Sequence, residues 1–210
     1  MINLNVPYLR DTEIALVADG IRSKNNITSI PVNIEGLIEN KFQADIVPVP
    51  DMRKNLDFEG SSSQDLGTVY VDEFVYKQRP YRYRFTIAHE LGHIVLHPDY
   101  FGKLKFTSIV EWTKVVNEID QRDYSKMEYQ AYAFAGQILV PTEFLRPEFS
   151  KQLYLYKSQI KEAQEKGFRR DDYVDTVLDE IAYSLSPRFE VSTDVLSRRM
   201  RSESLEQEIL

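Results

Sequence analysis

An α+β fold is expected from three observations on this 210-residue chain. Apolar residues recur at helical spacing in several stretches, of which residues 11–21 are the first. Two segments, residues 44–50 and Thr68–Asp72, carry the alternating or β-branched and aromatic content of strands. Residues 86–97 are apolar apart from one polar strip, the pattern of a buried helix with a single working face.

Bulk properties narrow the class. A hydrophobic content of 42% with 28% charged residues describes a soluble globular chain with a real core, one domain plus an appendage. Cysteine is absent, which excludes a disulfide framework and any thiolate metal site. A net charge of −7 argues against a broad nucleic-acid surface and leaves room only for a local basic patch. Residues 1–7 show no basic region leading into an apolar run, and no apolar run approaches a membrane span. A cytoplasmic protein without membrane association is expected.

Taken in order, residues 11–21 form a helix with Asp11 as N-cap, followed by a polar, asparagine-rich loop over 23–29. Asn33 opens a short helix over 34–42, with Gly36 in place of the acidic partner of a full capping box. In the strand at 44–50, Pro48 and Pro50 favour a sheet edge or a strand end. Residues 58–67 read as a strand end and turn. Their serines, Ser61 to Ser63, are assigned to turn chemistry, since nothing nearby in sequence could act as their base. After the strand Thr68–Asp72, residues 81–85 alternate basic and aromatic side chains and are expected to pack and position the helix that follows. Pro98 ends that helix. An amphipathic helix over 108–119 carries the lone tryptophan, Trp112, as a packing residue. A charged connection over 120–126 leads to a helix dense in small residues over 127–141.

The remainder is helical, with helices over 153–164 and 173–185 separated by charged residues 166–172. From residue 181 to Met200 the chain has the rhythm of a helix-turn-helix, its turn over 189–192 and Ser192 or Thr193 capping the second helix. Arg198, Arg199 and Arg201 would then lie on or just beyond that helix, where DNA contact is one reading. Acidic residues at least match basic ones here, so capping of the first domain or docking of a partner is favoured.

The chemistry concentrates in His89-Glu90-Leu91-Gly92-His93, a stretch whose neighbourhood holds all three histidines. Residues four apart share a helix face, so His89 and His93 can turn their rings toward one ion. Glu90 lies about 100° further round the helix and can flank the ion without ligating it. Two neutral imidazoles and an adjacent carboxylate suit metal-assisted hydrolysis, with Zn2+ the default ion. His97 continues the same face, but three ligands at successive turns spread over about 12 Å, too far for bonds of about 2 Å. A structural or supporting role is expected for it. A third ligand must come from elsewhere. Glu128 is a candidate, and its spacing alone leaves two readings open: completion of a His2Glu site, or complement to a positive helix end.

These residues resemble the ImmA/IrrE family of metallo-endopeptidases. The resemblance rests on residues 86–93 together with Glu128-Tyr129-Gln130-Ala131 and residues 134–141, and it is supported by 30–35, 45–50 and 68–73. It covers roughly residues 6–145. It implies a zincin-like metallopeptidase domain over 1–145, with a small sheet packed on the active-site helix, followed by a helical region over 146–210. It also implies zinc held by His89, His93 and Glu128, Glu90 as catalytic base, and a helix-turn-helix transcriptional repressor as the cleaved partner in mobile elements, phages or stress responses. Tyr132 departs from the family's usual asparagine, and the Trp112 helix, a lid or substrate-side wall on this reading, lengthens the linker between His93 and Glu128. The competing expectation is a zinc-containing regulatory protein that binds a repressor or DNA without cutting it.

Overall fold

The computed structural model describes residues 1–209. The chain divides into two compact units, one of Met1–Thr28 with Val32–Ile138, the other of Ser29–Pro31 with the residues from Leu139 onward. The first contains helices α1 (Asp11–Lys24) and α2 (Ile34–Lys41), strand β1 (Asp45–Val49), helix α3 (Met52–Leu56), and strands β2 (Gly60–Ser62) and β3 (Thr68–Asp72). Helices α4 (Glu73–Gln78), α5 (Pro80–Leu96), α6 (Pro98–Phe101), α7 (Ile109–Glu118) and α8 (Gln121–Leu139) complete it. The α+β expectation is met by a mostly helical chain with a small mixed sheet.

Local chemistry sets most of the boundaries. The Asn33 side chain accepts the Gly36 N–H at 2.9 Å, Ser108 accepts the Glu111 N–H at 3.2 Å, and Asp72 accepts from Phe74 and Val75 at the head of α4. At α1 the sequence expectation is corrected by one residue. Arg10 holds the N-cap position because the Glu13 carboxylate takes both its backbone N–H and its guanidinium, leaving Asp11 in the first turn. Residues 81–85, expected as a lead-in, form the first turns of α5, with Pro80 at its start where a missing N–H costs nothing.

The sheet order is β1-β3-β2, with β1 parallel and β2 antiparallel to the central strand. Pro48 therefore lies on an edge, as its lack of a donor requires. Val69 and Val71 of β3 and Ile87 and Leu91 of α5 are fully buried, and α5 lies against β2 and β3. Across from the sheet, α5 meets α8 at close range. A Cβ on Gly92 would stand 2.9 Å from the Ala131 Cα and 3.0 Å from its carbonyl oxygen. Backbone meets backbone there because neither residue has more than a methyl to offer.

Helix α8 starts earlier than its sequence suggests. Asp120 accepts the Arg122 N–H at 2.9 Å, so residues 121–126, expected as a connection, are helical. Glu128 consequently sits two turns in, beyond reach of the positive end of the helix. The Asp123 carboxylate accepts the N–H groups of Leu4, Asn5 and Val6 at 2.9, 2.8 and 3.1 Å, and Lys126 donates to the Val6 carbonyl at 2.7 Å. Strapped to α8 in this way, Leu4 and Val6 join a core cluster with Phe101, Leu104, Phe106, Trp112, Ile119 and Met127. Trp112 stacks on Phe101 at 5.5 Å, the packing role its sequence position suggested.

In the second unit are α9 (Thr142–Glu165), α10 (Arg170–Phe189), α11 (Thr193–Ser202) and a 3-10 turn, Leu205–Glu208. Helix α9 begins well before the expected residue 153 and carries Pro147 in its second turn, where the absent N–H loses only one intrahelical bond. Between α10 and α11, Glu190 adopts φ 52° and Ser192 caps α11 by accepting from Val195. Arg199 is buried, with its guanidinium on the Val140 carbonyl, Thr142 Oγ1 and Glu203; Arg201 pairs with Asp175 at 2.8 Å. Those two arginines hold the unit together, so Arg199 does not serve as the DNA-facing residue that the sequence reading entertained. Among the described residues no helix is long and apolar enough to cross a membrane.

The Gly92 contact yields a paired prediction. Gly92→Ala should destabilise the protein by about 1–3 kcal/mol through overpacking. Gly20→Ala, where a Cβ would meet nothing within 4 Å on α1, should stabilise it by up to about 1 kcal/mol through helix propensity. Urea unfolding of both variants checks the opposite signs.

Candidate metal centre

Helix α5 supplies His89 and His93 one turn apart, and their Nε2 atoms stand 3.1 Å from each other. From α8, Glu128 brings Oε2 to 3.3 Å of His89 Nε2 and Oε1 to 3.5 Å of His93 Nε2. One donor atom from each of the three residues falls within a 4.8 Å set, which is geometry able to hold a metal ion. For a tetrahedral ion with bonds of about 2.0–2.1 Å, neighbouring donors are separated by about 3.3 Å. The observed separations bracket that value, and two imidazole nitrogens with one carboxylate match the preference of zinc. The donor set fits the ion.

Charge is organised around the same three residues. Burial pushes the Glu128 carboxyl up, but the adjacent His89 and His93 rings outweigh it and hold Glu128 well below the usual carboxylate range. For His89, burial favours the neutral ring, while the bond to Glu128 and the charges of Glu90 and Glu128 prevail and raise its pKa. Tyr124, one turn before Glu128, is raised by burial first and then by the nearby Glu128 carboxylate.

Glu90 is buried beside the set, and Ser62 Oγ donates to its Oε2 at 2.8 Å. The assignment of the serines to turn chemistry is corrected by this contact. Only Ser63 serves a turn, bonding Asp65 Oδ1 and accepting the Thr68 N–H, while Ser61 and Ser62 lie in β2. The pairing of β2 with α5 joins residues 28 apart in sequence, which no local signal reports. Gly60 makes the approach feasible, because a Cβ there would stand 2.5 Å from Thr86 Cγ2 and 3.0 Å from Glu90 Oε1. In front lies a groove of about 420 Å³ whose walls include Phe58, Arg82, Phe85 and Tyr132 as well as His89, Glu90 and Glu128. Tyr132 packs edge-on against Phe85 at 4.9 Å, so where asparagine was expected an aromatic side chain borders the groove.

His97 lies on the far side of the His93 ring from the donor set, fully buried, with its Nδ1 3.0 Å from His93 Nδ1. Its Nε2 is 2.9 Å from Gln130 Oε1, and Gln130 Nε2 donates to the Pro7 carbonyl at 2.7 Å. Burial and then the neighbouring His93 push its pKa down to about 3. The supporting role expected for His97 agrees with this position. Gln130 was not singled out as a functional residue, although a polar side chain among the small residues of α8 was the available signal.

A family model described as the IrrE N-terminal-like domain, Peptidase M78, matches residues 74–201. The chain belongs to this family of metallopeptidases. The IrrE-like match includes His89, Glu90, His93 and Glu128, and it runs beyond residue 145 into the helical region. Among solved structures, a Mycobacterium tuberculosis transcriptional regulator is similar in fold, with a TM-score of 0.51 at 15% identity over 92% of this chain. The aligned region spans 56% of that regulator's length. Comparison with curated proteins gives no match.

The shifted groups define a pH dependence. The raised His89 contributes stability below its ordinary titration near ~6.5 that is lost as pH rises through its folded value. The lowered Glu128 contributes stability above ~4.3 that is lost as pH falls through its folded value. In metal-free protein their joint contribution should peak at roughly pH 4.3–6.5. Zinc binding needs neutral imidazoles and should strengthen as pH rises. Thermal melts of metal-free and zinc-loaded protein should therefore separate further with rising pH, and a gap that narrows would contradict the assignment.

Proposed function

We propose that this chain is a zinc-dependent endopeptidase acting on a helix-turn-helix transcriptional repressor, so that cleavage relieves repression. The observation that carries the zinc-site reading is the triangle of His89, His93 and Glu128 with the buried Glu90 beside it. The repressor is supported by the family resemblance, and a cytoplasmic setting goes with it. Catalysis is assigned to residues 1–145, and capping or docking of the partner to 146–210. The groove residues at the donor set all precede residue 145, in keeping with that division.

His89 and His93, neutral, and Glu128, ionised, would hold the ion. A bound zinc lowers the pKa of water to about 7 and polarises the scissile carbonyl. Glu90, held by Ser62, takes the proton of the attacking water and returns it to the leaving amine. The groove in front of His89 and Glu90 receives an extended segment of the substrate, with Phe58, Phe85 and Tyr132 offering apolar contact. A non-cleaving binder would have no use for a carboxylate buried at this position, which favours the enzyme. Direct DNA binding through α11 has less support, because Arg199 and Arg201 are engaged within their own unit.

Two substitutions separate the roles. Glu90→Gln should lower cleavage of the partner repressor at least ~100-fold while zinc content stays near one per chain. Glu128→Ala should lose zinc and activity together. The check is a gel-based cleavage assay alongside elemental analysis. Retained proteolysis in Glu90→Gln would remove Glu90 from its role, and a stable, uncut complex with the wild-type chain would favour the regulatory binder.

A further inference from the structure

We propose that the Pro7 carbonyl, Gln130 and His97 form a hydrogen-bond relay that fixes His93 with its hydrogen on Nδ1 and a free lone pair on Nε2. This makes Gln130 and His97 positioning residues for a candidate metal ligand, and it rests on the metal site of the reading above.

The direction of each bond follows from its neighbour. A backbone carbonyl only accepts, so the Gln130 atom 2.7 Å from the Pro7 oxygen must be the amide nitrogen, and its orientation is not ambiguous. The other end of that amide is then the oxygen, 2.9 Å from His97 Nε2. Since that oxygen also only accepts, His97 Nε2 carries the hydrogen. His97 is fully buried with another imidazole against it, an environment that keeps the ring neutral. A neutral ring protonated at Nε2 presents a lone pair at Nδ1, so His93 Nδ1, 3.0 Å away, must donate. What remains on His93 is an unprotonated Nε2, the atom that faces His89 Nε2 and Glu128.

The relay has work to do because Glu128 opposes it. A carboxylate 3.5 Å from His93 Nε2 attracts a proton to that nitrogen, and a protonated Nε2 cannot ligate. Holding the hydrogen on Nδ1 removes a proton shift from metal uptake. Metal-bound histidines generally donate their other N–H to a carbonyl, carboxylate or water, and such partners matter about 10–100-fold in affinity. Here the acceptor is a second imidazole, whose own tautomer is set by an amide anchored on backbone. That anchor is rigid: Asp123 and Lys126 hold residues 4–6 against α8, the helix that also carries Gln130 and Glu128. Glu128 and the relay therefore share one frame.

The test uses the full-length, 15N-labelled, metal-free protein, whose three histidines give a simple long-range 1H–15N imidazole spectrum. Wild-type His93 should be protonated at Nδ1. In His97→Phe, which keeps an aromatic ring and removes the acceptor, the hydrogen should move to Nε2, and zinc affinity measured against a chromophoric chelator should fall about 10–100-fold. Gln130→Leu should act in the same direction with a smaller loss, and it decides the matter if His97→Phe does not fold. A wild-type His93 protonated at Nε2 would overturn the relay, as would folded variants that bind zinc like wild type. Failure of the wild-type chain to take up zinc would instead overturn the metal reading, leaving the tautomer to judge the relay by itself.

Discussion

The contact between Gly92 and Ala131 sets the distance on which the candidate site depends. Helices whose backbones approach this closely tolerate no side chain between them, and the shortfall for even one methyl is stated by a 2.9 Å Cβ-to-Cα distance. His93 is the next residue on α5 and Glu128 lies one turn back on α8, so the interhelical spacing is also the spacing of the ligands. Gly60 plays the same part on the other flank, admitting β2 close enough for Ser62 to reach Glu90. Two glycines thus set the position of α5 between a helix and a strand, and its polar strip falls where both neighbours supply partners.

Burying so many polar groups is tolerable only if each is satisfied, because an unpaired buried donor or acceptor costs about 1–3 kcal/mol. The arrangement meets that condition by sharing. Glu128 faces the two histidines, Glu90 accepts from Ser62, and the far side of His93 is met by His97 and then Gln130. The last member reaches the backbone of the N-terminal segment, whose N–H groups are in turn taken up by Asp123. A peptidase centre built this way has its ligand orientation supported by the whole first unit, not by α5 and α8 alone.

Much of this was legible in the sequence where the cause is local. Asn33, Ser108 and Ser192 cap the helices that they precede, Pro48 marks an edge strand, and the four-residue spacing of His89 and His93 puts both on one face. What was not legible depends on partners distant in the chain. Residues 121–126 read as a charged connection because Asp123 finds its acceptor role only against Leu4, Asn5 and Val6. Ser62 looked like a turn residue because Glu90 comes to it through sheet-on-helix packing. Helices α5 and α9 both start earlier than expected, because Pro80 fits a first helical position and Pro147, in a second turn, interrupts less than a proline in mid-helix.

X-ray absorption at the zinc edge, on the full chain loaded with one equivalent of zinc, reads the His89, His93 and Glu128 ligand set directly. The ion should be four-coordinate, with two imidazole nitrogens and a carboxylate oxygen at about 2.0–2.1 Å. A spectrum requiring three imidazoles would bring His97 into the coordination sphere and break the geometry described above. Zinc that remains in bulk solution would remove the centre altogether.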